Sequence, residues 1–308
     1  MTTKQVVSVS LGSSSRDHEV EVDLLGTTFS IKRIGTDGDV KKMKKMIREL
    51  DGNVDAFGLG GIDLYLFAPG GKRYKIREAK KFKKQAKKSE MVDGSGLKNT
   101  LERKTIEYLK EEQVFELIDK KVLMVSAVDR FGMAEALHDA GCKMVFGDLI
   151  FGLKIPVAIR SMRQFEILAR ILLPVVTKMP FKMLYPTGSS QDKKPRDKYG
   201  KYYREADIIA GDYLFIKKYM PEDMKGKVII TNTVTAADVE DLKRRGVALL
   251  VTTTPEFDGR SFGTNVMEAT CLTLLDKNAE SVTPEDYLHV LEQLGFKPRV
   301  ERFAETAG

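Results

Sequence analysis

Tryptophan is absent from the 308 residues, cysteine occurs twice and histidine three times. Cys142 and Cys271 sit in apolar stretches without metal-ligand spacing, and His18, His138 and His289 are scattered. Neither a disulfide framework nor a metal site is therefore expected. Long apolar runs are also missing. The longest, around Ile171 to Val176, falls far short of the ~20 residues that span a bilayer. The start of the chain is polar and lacks the apolar segment of a secretory signal, so the expectation is a cytoplasmic protein with no membrane partner.

What is present is a globular composition, 42% hydrophobic and 31% charged, which excludes a disordered or collagen-like chain. The length suits two domains. A formal charge of +7 arises from 51 Lys and Arg against 44 Asp and Glu, with much of the excess between Lys72 and Lys88. That run could track a phosphate backbone, but only Tyr74 and Phe82 interleave the charges and no recognised nucleic-acid module accompanies them. A solvated lysine face is the preferred reading over nucleic acid.

Periodicity predicts α/β architecture. Lys4 to Ser10 reads as a strand, Glu19 to Ile34 as two strands turning at Leu25-Gly26, Lys41 to Leu50 as a helix, and Val54 to Leu59 as a buried strand. Ile62 to Phe67 and Lys72 to Ile76 flank Pro69-Gly70-Gly71 as a hairpin, with a helical Lys-rich segment behind it. A long helix follows Asp93-Gly94-Ser95-Gly96 and runs to about Glu112.

Strands are then expected at Lys121 to Val125, Lys143 to Phe146, Lys182 to Leu184, Asp207 to Ala210, Val228 to Ile230 and Ala248 to Val251, alternating with helices. That rhythm predicts a doubly wound, Rossmann-like parallel sheet. The expected organisation is an N-terminal α/β substrate domain over 1–95, a bridging helix over 96–116, a Rossmann-like domain over 117–280, and a C-terminal helix and tail over 281–308. The last strand-like stretch, Lys297 to Phe303, fits either domain.

Ligands bind beyond the carboxyl ends of strands in such sheets. The residues following each predicted strand are polar: Ser126 to Gly132, Asp148, Tyr185-Pro186-Thr187-Gly188, Gly211-Asp212, Thr231-Asn232-Thr233 and Thr252-Thr253-Thr254. Short polar residues there also cap helices, which accounts for part of the set. At the first strand-to-helix turn, Ser126 and Val128 stand where a dinucleotide fingerprint has its first two glycines, and Gly132 fits the third, close to the sheet. Arg130 offers a phosphate partner, and Asp148 falls where a ribose-binding acid lies, favouring NAD over NADP. The same turn also reads as a plain structural one capped by Asp129.

Asp93-Gly94-Ser95-Gly96 with the helix through Leu101, and Lys121-Val122-Leu123-Met124-Val125-Ser126 with the helix to Gly141, resemble the NTDGxG, long-helix and KxVLVLGAGGA stretches of the shikimate/quinate dehydrogenase-like family. The resemblance spans roughly Asp93 to Asp148, with a looser match over Ala206 to Met267. It implies an NAD-linked oxidoreductase, with NADP the alternative cofactor, acting on a small hydroxylated carboxylate. It also implies Asp93 as the catalytic acid and Ser13 and Ser15 as the pair that holds the substrate carboxylate. The family's lysine-bearing N-V-T-x-P-x-K segment has no counterpart in the N-terminal region, so Lys98, about one helical turn from Asp93, stands in as the base, a role that suits a lowered pKa.

Ser126, Asp129, Arg130, Gly132, Asp148, Thr231 and Asn232 complete the cofactor set, and Asn265, just before a helix, joins the substrate set. The glycine- and acid-bearing turns Gly35 to Asp39 and Gly58 to Asp63 are further candidates for holding substrate, or simply tight turns. The Lys- and Tyr-rich stretch from Gln191 to Tyr203 reads as a lid. The rival function is a non-redox enzyme or sensor of the same fold that binds a nucleotide or phosphorylated metabolite. A homodimer is an alternative to a monomer.

Overall fold

The computed structural model describes residues 3–68, 70, 72–179, 199–254, 256–257, 260–261 and 263–303. The first sheet takes its strands from the N-terminal third of the chain: β1 (Lys4–Ser10), β2 (His18–Leu24), β3 (Thr27–Gly35) and β4 (Ala56–Gly60). A small hairpin of β5 (Tyr65–Phe67) and β6 (Arg73–Lys75) follows, before β7 (Glu90–Val92) completes the sheet in the order β2-β3-β1-β4-β7. All neighbours are parallel except β2 on β3. Val6, Val7 and Val9 make β1 the buried centre of this sheet, whereas β2 turns Glu19, Glu21 and Asp23 outward, and charges on an edge strand discourage pairing with another chain.

The second sheet contains β8 (Lys121–Met124), β9 (Lys143–Phe146), β10 (Ile208–Ala210), β11 (Val228–Thr231) and β12 (Leu249–Thr252). After a hairpin of β13 (Glu256–Phe257) and β14 (Arg260–Ser261), β15 (Arg299–Arg302) closes the order β15-β12-β11-β10-β8-β9. Only β15 is antiparallel, pairing with β12, so the C-terminal strand joins this sheet. Apolar runs such as Ile208–Ala210 and Leu249–Thr252 are buried throughout, as strands covered on both faces must be. The order places a switch point between β8 and β10, where the connections leave in opposite directions and a crevice opens.

Helices follow the expected spacing with instructive differences. Asp39 caps α1 (Val40–Leu50) by accepting the Lys41 and Lys42 amides, and Met43 and Ile47 face inward. The Lys-rich segment forms only the single turn α2 (Lys80–Lys83), because the amides of Lys87, Lys88 and Ser89 donate to the Asp51 carboxylate instead of continuing a helix. The helix α3 (Ser95–Glu111) contributes to both cores: Leu97 and Leu101 enter the first, Ile106 and Leu109 the second.

The second sheet packs on one side against α4 (Phe131–Asp139) and α3. A second bridge was not anticipated from sequence. In α5 (Met162–Val176), Phe165 stacks on Phe146 of the second sheet, while Ala169 and Leu173 pack with Met43 and Phe57 of the first. The helices Thr264–Leu275 and Pro284–Gln293 also depart from the expected boundaries at 280 and 281. Through Val266, Cys271, Tyr287 and Leu291 they cover Val6, Phe29 and Ala56 of the first sheet, so the chain crosses back before returning as β15.

The strand expected at Lys182 to Leu184 lies outside the described residues, as does the expected lid as far as residue 198. The end of that stretch is not a lid. Tyr199, Tyr202 and Tyr203 are buried with Phe151 and Tyr219 in the second sheet's core, where their large rings leave water and meet edge to face.

Candidate functional site

Parallel strands deliver their carboxyl ends, and the loops after them, to one edge. The edges of the two sheets face one another across a cleft of about 1010 Å³. The first sheet supplies Ser10 to Arg16 after β1, Gly60 to Asp63 after β4, and Asp93-Gly94 after β7. The second supplies Asp129-Arg130 after β8, Asp212 to Phe215 after β10, and Asn232 to Asp238 after β11.

At the seam sits a buried ionic cluster. Lys98 reaches from α3 to Asp129 Oδ1 at 2.8 Å and to Asp63 Oδ2 at 3.6 Å, with Asp63 and Asp129 hydrogen-bonded to each other. One residue comes from each sheet and one from the helix that joins them. Burial pushes the Asp63 carboxyl well up, Lys98 opposes this, and the Asp129 charge adds to it. Burial also works against ionised Asp129, but Lys98 and then Arg130 outweigh it and hold that carboxyl below its usual range. Desolvation likewise disfavours the Lys98 ammonium, yet Asp129 and Asp63 win and hold it above its usual value. The lysine is therefore a retained cation and not the amine of lowered pKa expected for a base. The Asp63 proton, held by burial, and the ammonium protons of Lys98 are what the cluster has to give.

Arg130 is paired through its two terminal nitrogens, while its buried Nε makes no hydrogen bond among the described residues. Its guanidinium meets Glu102 in a short ion pair and Asp212 Oδ2 at 3.3 Å. The Asn232 amide donates to the same Asp212 oxygen at 2.9 Å, and Asn232 Oδ1 accepts the Tyr213 amide at 3.1 Å. Asp93, placed by β7, accepts from the Leu64 amide on one oxygen and from the Ser95 amide and hydroxyl on the other, and burial raises its carboxyl. Behind it, Glu268 accepts the Gly94 amide at 2.5 Å and the Tyr287 hydroxyl at 2.7 Å; burial first, and the Asp93 charge second, push its carboxyl up to about 8. Gly94 makes this packing possible: its φ is +93°, and a Cβ there would lie 2.6 Å from the Asn265 amide nitrogen.

At the far end, the Ser13 and Ser15 hydroxyls lie 2.8 Å apart, and the Ser13 oxygen also accepts the Ser15 amide as a turn cap. Asn265 lines the cleft with its amide donating to Ser8 Oγ at 2.7 Å. Ser13, Ser15, Asp93, Lys98, Asp129, Arg130, Asn232 and Asn265 thus share one cleft.

Ser126, Gly132, Asp148 and Thr231 do not line it. Ser126 is buried with its hydroxyl accepting the Asp212 amide at 3.4 Å. Thr231 is buried with its hydroxyl on the Gly211 carbonyl at 2.8 Å, a structural bond. Gly132 serves helix contact and not the sheet: a Cβ would lie 2.3 Å from Asn99 Oδ1 on α3. Asp148 turns inward, accepting the Ala127 amide at 3.2 Å and the Val128 amide at 2.9 Å, so it is committed to the turn and not free for a ribose.

Glu102, Asp212 and Glu268 emerged as partners only in three dimensions. Glu102 did carry a signal: it lies four residues after Lys98, a charged pair on one face of a helix between Leu101 and Thr105, which are also buried.

The chain matches the model of the domain of unknown function DUF8754 over residues 96–303 and that of the domain of unknown function DUF8753 over residues 5–93. It belongs to the DUF8754 family. The boundary between the two matches falls at Asp93-Gly94-Ser95, where β7 passes into α3 beside the cluster. No curated protein matches the family member described here. Among solved structures it is similar to a glutamate dehydrogenase, with 12% identity, 94% of this chain and 71% of that one covered, and a TM-score of 0.41. It is also similar to a galactofuranose binding protein, with 13% identity, coverage of 95% and 98%, and a TM-score of 0.38. An NAD-dependent malic enzyme from Thermotoga maritima matches with 13% identity, coverage of 94% and 84%, and a TM-score of 0.34. Among the described residues no helix is long and apolar enough to cross a membrane, and no acidic, histidine or cysteine group could hold a metal.

Proposed function

We propose that the cleft is the active site of an oxidoreductase acting on a small hydroxylated carboxylate of the quinate or shikimate class, and that the Asp63–Lys98–Asp129 cluster exchanges the proton of a substrate hydroxyl. The observation that carries this reading is the cluster itself, a buried cation held between two carboxyl groups, open to a cleft at the carboxyl edges of both sheets. Ser13 and Ser15 suit the substrate carboxylate; Asp212 and Asn232 present the acceptor and donor that hydroxyls need.

The roles follow from charge. Lys98, held as an ammonium, stabilises negative charge on the substrate oxygen, and Asp63 carries the proton that this oxygen gains or gives up. Asp93, with both oxygens bonded internally, shapes the floor between Leu64 and Ser95.

A nicotinamide dinucleotide supplies the hydride in dehydrogenases that this sequence resembles. The first βα turn does not fit one in the fingerprint manner, because Asp148 holds the Ala127 and Val128 amides, and no step is drawn through it. That observation favours a second reading, a non-redox enzyme or sensor that binds a nucleotide or phosphorylated metabolite in the same cleft.

Thermal-shift screening with hydroxylated carboxylates, NAD and NADP tests both. The first reading expects the melting temperature to rise with a carboxylate of this class, the rise to vanish in Asp129→Asn, and nicotinamide absorbance to change on turnover. A shift without any nicotinamide turnover favours the second reading. No shift with any hydroxylated carboxylate overturns the first reading.

A further inference from the structure

We infer that Asp148 is the resident anion of the β8–α4 turn: its carboxylate occupies the backbone donors that a dinucleotide fingerprint offers to a pyrophosphate, and it thereby restricts this turn to ligands without a diphosphate.

A strand-to-helix turn of this kind binds anions because its N–H groups point away from the sheet with no partner of their own. Here four of those donors have internal partners. Ala127 donates to Asp148 Oδ2 at 3.2 Å and Val128 to Oδ1 at 2.9 Å, so both oxygens of one carboxylate bridge the turn. The Arg130 amide donates to the Ala127 carbonyl at 3.0 Å. On the first turn of α4, the Met133 amide donates to Glu102 Oε2 at 3.3 Å, a second internal carboxylate at a position where a phosphate oxygen is stabilised in dinucleotide folds.

Side chains give the same answer. The terminal nitrogens of the Arg130 guanidinium are held by Glu102 and Asp212, and its buried Nε, 3.9 Å from Asp129 Oδ2, makes no hydrogen bond among the described residues. Val128 packs its branched side chain against apolar residues of both sheets, so it cannot swing aside to admit a bulky group. A diphosphate entering the turn would meet Asp148 as a like charge and would have to displace it. Because Asp148 is tethered to the end of β9, it competes at a high effective concentration that a free ligand does not reach. The acid that the sequence places as a ribose anchor thus does the opposite job, holding the turn closed to diphosphates.

The test uses the full-length chain labelled with ¹⁵N and follows the Ala127 and Val128 amide resonances during titration with ADP and with NAD. In the wild type these two resonances stay in place at millimolar nucleotide. In Asp148→Ala they shift with ADP, and ADP binds roughly tenfold or more tightly than to the wild type, the scale of relieving a like-charge contact. Asp148→Asn keeps the side chain's shape and removes its charge, giving an intermediate gain, and serves if the alanine variant fails to fold. The inference is overturned if NAD or ADP moves the Ala127 and Val128 resonances of the wild type and Asp148→Ala abolishes that movement. It is equally overturned if neither variant gains ADP binding. Hydroxylated carboxylates added to the same wild-type sample report on the cluster near Lys98, so failure of the substrate reading registers separately.

Discussion

Glu268 offers a way to measure what burying an acid beneath the cleft costs this fold. The side chain is 4% exposed, bonded to the Gly94 amide and the Tyr287 hydroxyl, and its carboxyl is pushed from an ordinary 4.5 up to about 8. An acid whose folded pKa is raised binds its proton more tightly in the folded state, so stability is highest at low pH and falls as pH rises from the unfolded value through the folded one. With those two values the linkage gives a loss of roughly 3–4 kcal/mol between pH 5 and pH 8, complete only above pH 8.

Glu268→Gln keeps an oxygen for the Gly94 amide and a donor for the Tyr287 oxygen but cannot ionise. Urea unfolding at half-unit steps over that window should show the wild type losing stability relative to the variant by that amount, with the variant the more stable protein at pH 8. Asp148, pushed up to about 6 by burial, contributes to both proteins alike and cancels in the difference. Parallel pH profiles for the two proteins would refute the buried-acid account.

Lys98→Met leaves Asp63 and Asp129 buried without their cation; it should cost about 3–5 kcal/mol, more at high pH than at low, in denaturant titrations. Lys98→Arg keeps the charge but not the ammonium's compact reach, and should retain most of the stability while losing turnover. Gly94→Ala forces a side chain into φ +93° and against the Asn265 amide, and should cost more than Gly26→Ala, where φ is +78° but nothing lies within 4 Å; melting temperatures of the pair read the difference, with roughly 1 kcal/mol expected for Gly26 and several for Gly94. Gly132→Ala should loosen the α3–α4 contact at Asn99 by about 1–3 kcal/mol in the same assay without altering ligand binding, since Gly132 does not line the cleft.

Much of the fold was legible because its signals are local. The alternation of His18 to Leu24, the β-branched run of β1 and the apolar strands β8 to β12 each encode their own burial. What escaped depends on where the chain goes next. Nothing in Met162–Val176 says that one end packs on the second sheet and the other on the first, nor does Thr264–Leu275 disclose that it recrosses to cover β1 and β4. The short β7 was too brief for periodicity to reveal.

The site divides in the same way. Residue types at strand ends predicted which loops would meet, and Asp93, Lys98, Asp129 and Asn232 do meet. The protonation and orientation of each group were invisible, because they depend on partners far along the chain: Asp63 and Asp129 reverse the expected shift of Lys98, and the amides of Ala127 and Val128 draw Asp148 away from any ligand.

The central claim is that the Asp63–Lys98–Asp129 cluster engages a hydroxylated carboxylate. Isothermal calorimetry with quinate and shikimate, on the wild type and on Asp129→Asn and Lys98→Met variants whose circular dichroism matches it, addresses this most directly. The account predicts binding by the wild type that weakens by about a hundredfold in each variant, the scale of losing one charge-assisted contact in a buried site. Equal affinity in all three proteins, or no heat of binding in the wild type, would contradict it.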